Sequence, residues 1–102
     1  MTAYDRGASL ERRRIRDLTG QGWAAWRVAG SRGPCDVIAA RHGDIHLEQC
    51  KAGGRSAFAA FGPAERGELS REAALAGGSA ALVWRPEGKR AYEVIPAEEW
   101  PD

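Results

Sequence analysis

Apolar and polar positions change their period several times along this 102-residue chain. Residues 9–20 follow the helical period, with Ile15 and Leu18 at matching spacing, Ala8 on the same side and Gly20 as a stop. Glu11 falls four residues before Ile15 and seven before Leu18, so it shares the apolar face. The opposite face carries Arg12, Arg13, Arg14 and Arg16 and is expected to be a solvated basic surface. A carboxylate on a core-facing stripe needs a partner or a metal, because burying it unpaired is costly.

Beyond Gly20 the pattern predicts strands over 23–29, 35–41 and 45–51. Gly30-Ser31-Arg32-Gly33-Pro34 is a breaker-rich turn between the first two, and His42-Gly43-Asp44 a tight turn that makes a hairpin of the second and third. Residues 53–62 read as a flexible loop. Pro63 suits a helix start, residues 64–76 a second helix, and Gly77-Gly78 its end. Strands over 80–84 and 91–95 close the chain around a turn at Pro86-Glu87-Gly88-Lys89. The expected architecture is α/β: one small domain over residues 1–102, with a mixed sheet of about five strands flanked by helices.

Composition narrows the setting. A 43% hydrophobic content with four Trp, two Phe and two Tyr supports one modest core, and a small domain gains stability from a second copy. Nothing approaches the roughly 18 apolar residues of a membrane span, and the first residues lack a signal-peptide pattern, so a cytoplasmic protein is expected. Cys35 and Cys50 are too few for a disulfide framework and wrongly spaced for zinc; both are expected as free thiols. The net charge is only +1, but residues 1–55 carry ten basic and six acidic residues, and residues 56–102 five and eight. A positive first half is what a phosphate-binding face requires.

The candidate chemistry gathers in the hairpin. Asp36 stands at the start of its first strand, and Gln49 and Lys51, two apart in its second, share a face. A short turn brings Asp36 beside the end of the second strand. A carboxylate, an amide oxygen and an ammonium then meet at one sheet edge, and Glu11 would join them from the helix. Such a set suits phosphodiester hydrolysis. Mg²⁺ binds through one or two carboxylates and leaves places for water and phosphate, while a lysine holds the water or steadies the developing charge. His42 and His46 lie apart, in a turn and a strand, and are read as non-ligands.

Four blocks in order make the reading more specific: Arg6-Gly7-Ala8-x-x-Glu11-Arg12, Trp26 to Ser31, Asp36-Val37-Ile38-Ala39, and Gln49-Cys50-Lys51. Together they resemble the archaeal-type Holliday junction resolvases, including phage-encoded members, of the restriction-endonuclease-like superfamily. The resemblance implies a homodimeric endonuclease that uses Mg²⁺, with Mn²⁺ able to substitute, to cut four-way and other branched DNA. It also implies roles. Glu11, Asp36, Gln49 and the backbone carbonyl of Cys50 would hold the metal, Lys51 would be the catalytic lysine, and Ser31 would lie near the scissile phosphate. Arg6, Arg12, Arg27 and Arg32 would meet the DNA backbone. The chain departs from the family in carrying Gln49 where many members have Glu, and Glu48 where they have an apolar residue. A regular strand would turn Glu48 to the opposite face.

Overall fold

A computed structural model describes residues 3–28 and 33–101 of the chain. Helix α1 (Ala3–Gly20) leads into strand β1 (Ala24–Arg27), then β2 (Val37–Arg41) and β3 (Asp44–Ala52). Helix α2 (Pro63–Leu75) crosses to β4 (Ser79–Arg85), and β5 (Glu93–Pro96) runs into a 3-10 turn at Ala97–Glu99. The five strands form one sheet in chain order. Only the β3–β4 pair is parallel, as a strand–helix–strand connection demands; the other three pairs are antiparallel. The expected mixed five-stranded α/β architecture is therefore present. Its elements differ in extent: α1 begins at Ala3 rather than near Ser9, β1 is shorter than expected, and the 3-10 turn was not foreseen.

The tight turn sets the register on which the site depends. His42 (φ 51°) and Gly43 (φ 87°) both occupy the left-handed region, the two-residue hairpin geometry that matches strand twist. Arg41 then pairs with Asp44, and Val37 with Glu48. At the other end of the crossover, Gly77 (φ 74°) stops α2, and Gly78 lets β4 enter closely against β3. A Cβ on Gly78 would stand 2.3 Å from the carbonyl oxygen of Ile45, so only glycine fits there.

Each sheet face carries its own core. On one, Leu10 and Leu18 of α1 pack on Val37, Ala39, Cys50 and Val83. On the other, Leu69 and Ala73 of α2 join Leu47, Ala80, Leu82, Ala57 and Phe61. Residues 53–62 were expected to be a flexible loop, but Ala57 and the fully buried Phe61 tie this segment into the second core. Both cysteines are free thiols; Cys50 is buried and Cys35 half-buried. Among the described residues no helix is long and apolar enough to cross a membrane.

Arg14 corrects the expectation of a wholly solvated arginine face. It is buried, and its Nε and Nη2 each lie 2.8 Å from a carboxylate oxygen of Glu48, whose side chain is fully inaccessible. Burial alone would lower the Arg14 pKa; the hydrogen bonds and charge of Glu48 outweigh it and raise it. Helical geometry explains the placement, since Leu10, Arg14 and Leu18 are spaced by four and stack on one stripe.

The same helix is tied to the chain end through Tyr92, whose hydroxyl donates to Asp17 Oδ2 at 2.7 Å. That bond, helped by the charges of Arg16 and Arg13, holds the Asp17 carboxyl below its ordinary range. A depressed carboxylate contributes stability above the ordinary carboxylate range and loses it as pH falls through the lowered pKa. Tyr92→Phe should therefore cost about 1 kcal/mol near neutrality. The gap to the parent should close on acidification, as urea midpoints between neutral and acid pH would register. A gap that persists unchanged in acid would show that the hydroxyl acts by packing alone.

Candidate active site

Asp36 is held by the backbone before its side chain does anything. Its N–H donates to the Glu48 carbonyl at 2.8 Å, and its carbonyl accepts from Val28 N–H at 2.8 Å, bridging β1 and β3 just before β2 begins. From there the carboxylate reaches past the end of the β2 ladder. Its Oδ2 accepts the Cys50 N–H at 2.9 Å and the Gln49 Nε2 at 2.8 Å. Both bonds converge on one oxygen, so among the described residues Oδ1 is left for another ligand. The sequence-predicted meeting of Asp36 with the end of the hairpin is realised.

The strand alternates without a bulge. Cys50 packs against α1 residues and Leu47 against α2 residues, so even positions of β3 face α1 and odd positions face α2. Glu48 is thereby committed to Arg14, while Gln49 is the neighbour of Asp36. Lys51, on the Gln49 side, places Nζ 3.3 Å from Glu65 Oε2 in the first turn of α2. Glu65 was not singled out from the sequence. An acidic residue just after Pro63 reads as an ordinary favourable charge at a helix N-terminus, and no spacing links it to Lys51.

Glu11 is the second carboxylate. Its side chain is 13% exposed, and its Oε1 lies 2.6 Å from Arg27 Nε, across the gap between α1 and β1. The partner required by a carboxylate on the core-facing side is thus Arg27, not Arg14 or Arg16 of its own helix. Arg12 is exposed on α1. Ser31 and Arg32 lie outside the described residues.

Electrostatics links these groups into one neighbourhood. The Asp36 carboxyl is raised above its ordinary value, first by burial and then, after the lowering effect of the Cys50 N–H, by the negative charge of Glu11. Lys51 and Arg27 pull it back down without cancelling the rise. The donors at hand are all hard oxygens: two carboxylates, the Gln49 amide oxygen after a turn of its amide group, and the Cys50 carbonyl. Among the described residues no group of three or more His, Cys, Asp or Glu gathers as metal ligands, so a cation here would depend on the Gln49 and Cys50 oxygens beside the carboxylates. A half-buried carboxylate disfavoured by a neighbouring carboxylate fits a hard divalent cation that keeps most of its water.

The described aromatic side chains take structural places. Trp84 Nε1 donates to the Gly53 carbonyl at 2.9 Å, and Trp100 meets Phe61 edge-on with ring centroids 5.0 Å apart. Trp23 lies between Arg41, 4.3 Å from its ring centre, and the His46 ring at 4.6 Å. Trp26 alone is largely exposed, on edge strand β1.

Comparison with known proteins joins this geometry to a family. The profile of the family described as archaeal Holliday junction resolvase (Hjc) matches residues 2–100. The chain is 40% identical over 55 residues to the crossover junction endodeoxyribonuclease Hjc of Methanocaldococcus jannaschii, a match covering 54% of this chain and 41% of that protein. The chain thus spans about two fifths of the length of this curated relative. In fold it is similar to Archaeoglobus fulgidus Hjc, a Holliday junction resolvase from an archaeal hyperthermophile. The TM-score is 0.71 at 22% identity, over 94% of this chain and 78% of that one.

Proposed function

From the premise that this chain belongs to the archaeal Holliday junction resolvase family, we propose that it is a divalent-cation-dependent endonuclease that resolves four-way DNA junctions. The observation that carries this is the Asp36 carboxylate, which accepts from the Gln49 amide and the Cys50 N–H on a backbone bonded to Glu48 and Val28, with the charges of Glu11 and Lys51 acting on it. Asp36, Glu11, Gln49 through its amide oxygen and the Cys50 carbonyl would hold Mg²⁺, with Mn²⁺ as a substitute. The bound cation supplies charge to offset that growing on the phosphoryl group and lowers the pKa of a coordinated water.

The chain's own residues do the rest. Asp36 orients the site, because its backbone is fixed on both sides and its side chain cannot swing without breaking the Cys50 bond. Lys51 sits at the same sheet end and steadies either the attacking water or the transition-state charge; the Glu65 carboxylate keeps its ammonium extended toward α2. Arg27, beside Glu11, brings positive charge to the rim where a phosphate arrives, with Arg6 and Arg12 on α1 as further backbone contacts. Ser31 and Arg32 would border the scissile phosphate. A homodimer in the prokaryotic or phage-infected cytoplasm would make two matched nicks, since a four-way junction has near two-fold symmetry. Recognition then rests on junction shape and backbone rather than base sequence.

The test is a cleavage comparison on four-way, forked and linear DNA of the same sequence, across Mg²⁺ and Mn²⁺ titrations. The four-way substrate should be cut in paired nicks at least tenfold faster than the linear one. Equal cutting of linear duplex would mark a general nuclease of the same superfamily. Tight junction binding with no cutting in either metal would make it a branched-DNA binding protein; the amide at Gln49, in place of a third carboxylate, is the observation favouring that outcome.

A further inference from the structure

The flank of α1 facing away from Glu11 and Arg27 carries a second feature. Arg6, Ser9 and Arg13 line a cleft of about 230 Å³ floored by Leu10, and Arg85 at the end of β4 closes it. A second opening of about 350 Å³ shares Arg6 and Arg85 and continues along Gly53 and Gly54 to Glu87. Two of these arginines are anchored by neutral groups. Arg13 donates to the Arg90 carbonyl and lies over the Tyr92 ring at 5.0 Å, and Arg85 Nη1 donates to the Lys89 carbonyl at 2.9 Å. Neither has a carboxylate within ion-pair distance among the described residues. Carbonyl anchoring fixes the guanidinium planes with no carboxylate in contact, although the charge of Arg13 also acts on Asp17 and Glu87 lines the second opening beside Arg85. A fixed guanidinium without a contact carboxylate is suited to a phosphodiester, whose oxygens match its fork of donors.

Position gives the cleft a purpose. Arg85 pairs in register with Ala52, the residue after Lys51, so the cleft opens at the same sheet end as the candidate active site. Arg85, two residues after Val83 on β4, shares with it the α1 face, whereas Lys51 points to the α2 side. We infer that Arg13 and Arg85, with Arg6 and Ser9, form a second phosphodiester subsite, which grips the DNA backbone away from the bond being cut. The proposal rests on the nuclease reading above. Two subsites on opposite flanks of one helix constrain the direction of a DNA arm, which a single scissile-phosphate contact does not.

The test measures junction binding, in Ca²⁺ to prevent cutting, as a function of salt. Two variants are used: Arg85→Gln, and Ser9→Asp, which adds a negative charge to the cleft and spares the arginine anchors. Each should weaken binding about tenfold near 0.1 M salt, and Arg85→Gln should make the slope of log affinity against log salt shallower by about one. If Arg85→Gln fails to fold, Ser9→Asp alone decides by its affinity. Folded variants that bind like the parent with the parental slope would overturn the subsite while leaving the nuclease reading intact. A parent chain that binds no branched DNA would instead overturn the nuclease reading itself.

Discussion

Asp36→Asn should abolish junction cleavage, lowering the rate by at least about 10²-fold, while the folded chain still binds junctions. Asparagine keeps the side-chain shape, and its oxygen can still accept the Cys50 N–H that Asp36 Oδ2 accepts at 2.9 Å. What it removes is charge. That charge is unfavourable in the cation-free fold, where burial and Glu11 raise the Asp36 carboxyl. A group raised in the folded state contributes stability below its ordinary pKa and loses it as pH rises through the folded value. At neutral pH the cation-free variant should thus be at least as stable as the parent. Thermal midpoints with and without Mg²⁺ complete the test: added cation should stabilise the parent by linkage and leave the variant unmoved. Retained cutting, or equal stabilisation of both proteins by Mg²⁺, would remove Asp36 from the metal site.

The largest effect on stability belongs to a residue with no part in the chemistry. Glu48→Gln should destabilise the fold by about 3–5 kcal/mol, because it leaves the buried Arg14 guanidinium without its counter-charge. Against a total stability of roughly 5–15 kcal/mol this is a large fraction, and for a domain of this size it lowers the melting midpoint by on the order of 15 °C. The amide oxygen of the variant can still accept one bond from Arg14, and Nη1 keeps its long contact with the Tyr92 hydroxyl at 3.4 Å, but neither replaces the lost charge. The paired replacement Arg14→Leu with Glu48→Leu should recover most of the loss, since two apolar side chains carry no desolvation penalty there. Melts at matched protein concentration check both. A single-variant loss below 1 kcal/mol would mean that water reaches the pair and screens it.

These two glutamates show how far the chain can be read unaided. Glu11 was legible as a carboxylate on a core-facing stripe because helical period alone puts it there, and the need for a partner followed from the cost of burial. Which partner it takes was not legible. Arg27 lies 16 residues away on β1, and only packing of α1 on the sheet brings the two within 2.6 Å. Arg14 was misread for the same reason: a run of arginines carries no sign of which member faces inward. That depends on a buried acid 34 residues further on.

By itself the sequence indicated the order and type of the main elements and the place of the hairpin turn, because turn chemistry and side-chain periodicity are local; that the turn is His42 and Gly43 alone, with Asp44 already paired to Arg41, was set in the folded hairpin. It also indicated that Asp36 and Gln49 would meet at one end of that hairpin, where the charge of Lys51 acts on Asp36. Strand alternation already turned Glu48 to the opposite face; only the tertiary structure decided that its partner there is Arg14, that Glu65 holds Lys51, and that Arg13 and Arg85 share a cleft. Each of those pairings joins separate elements, and the energy that selects it is burial and charge compensation, which exist only once the elements have packed.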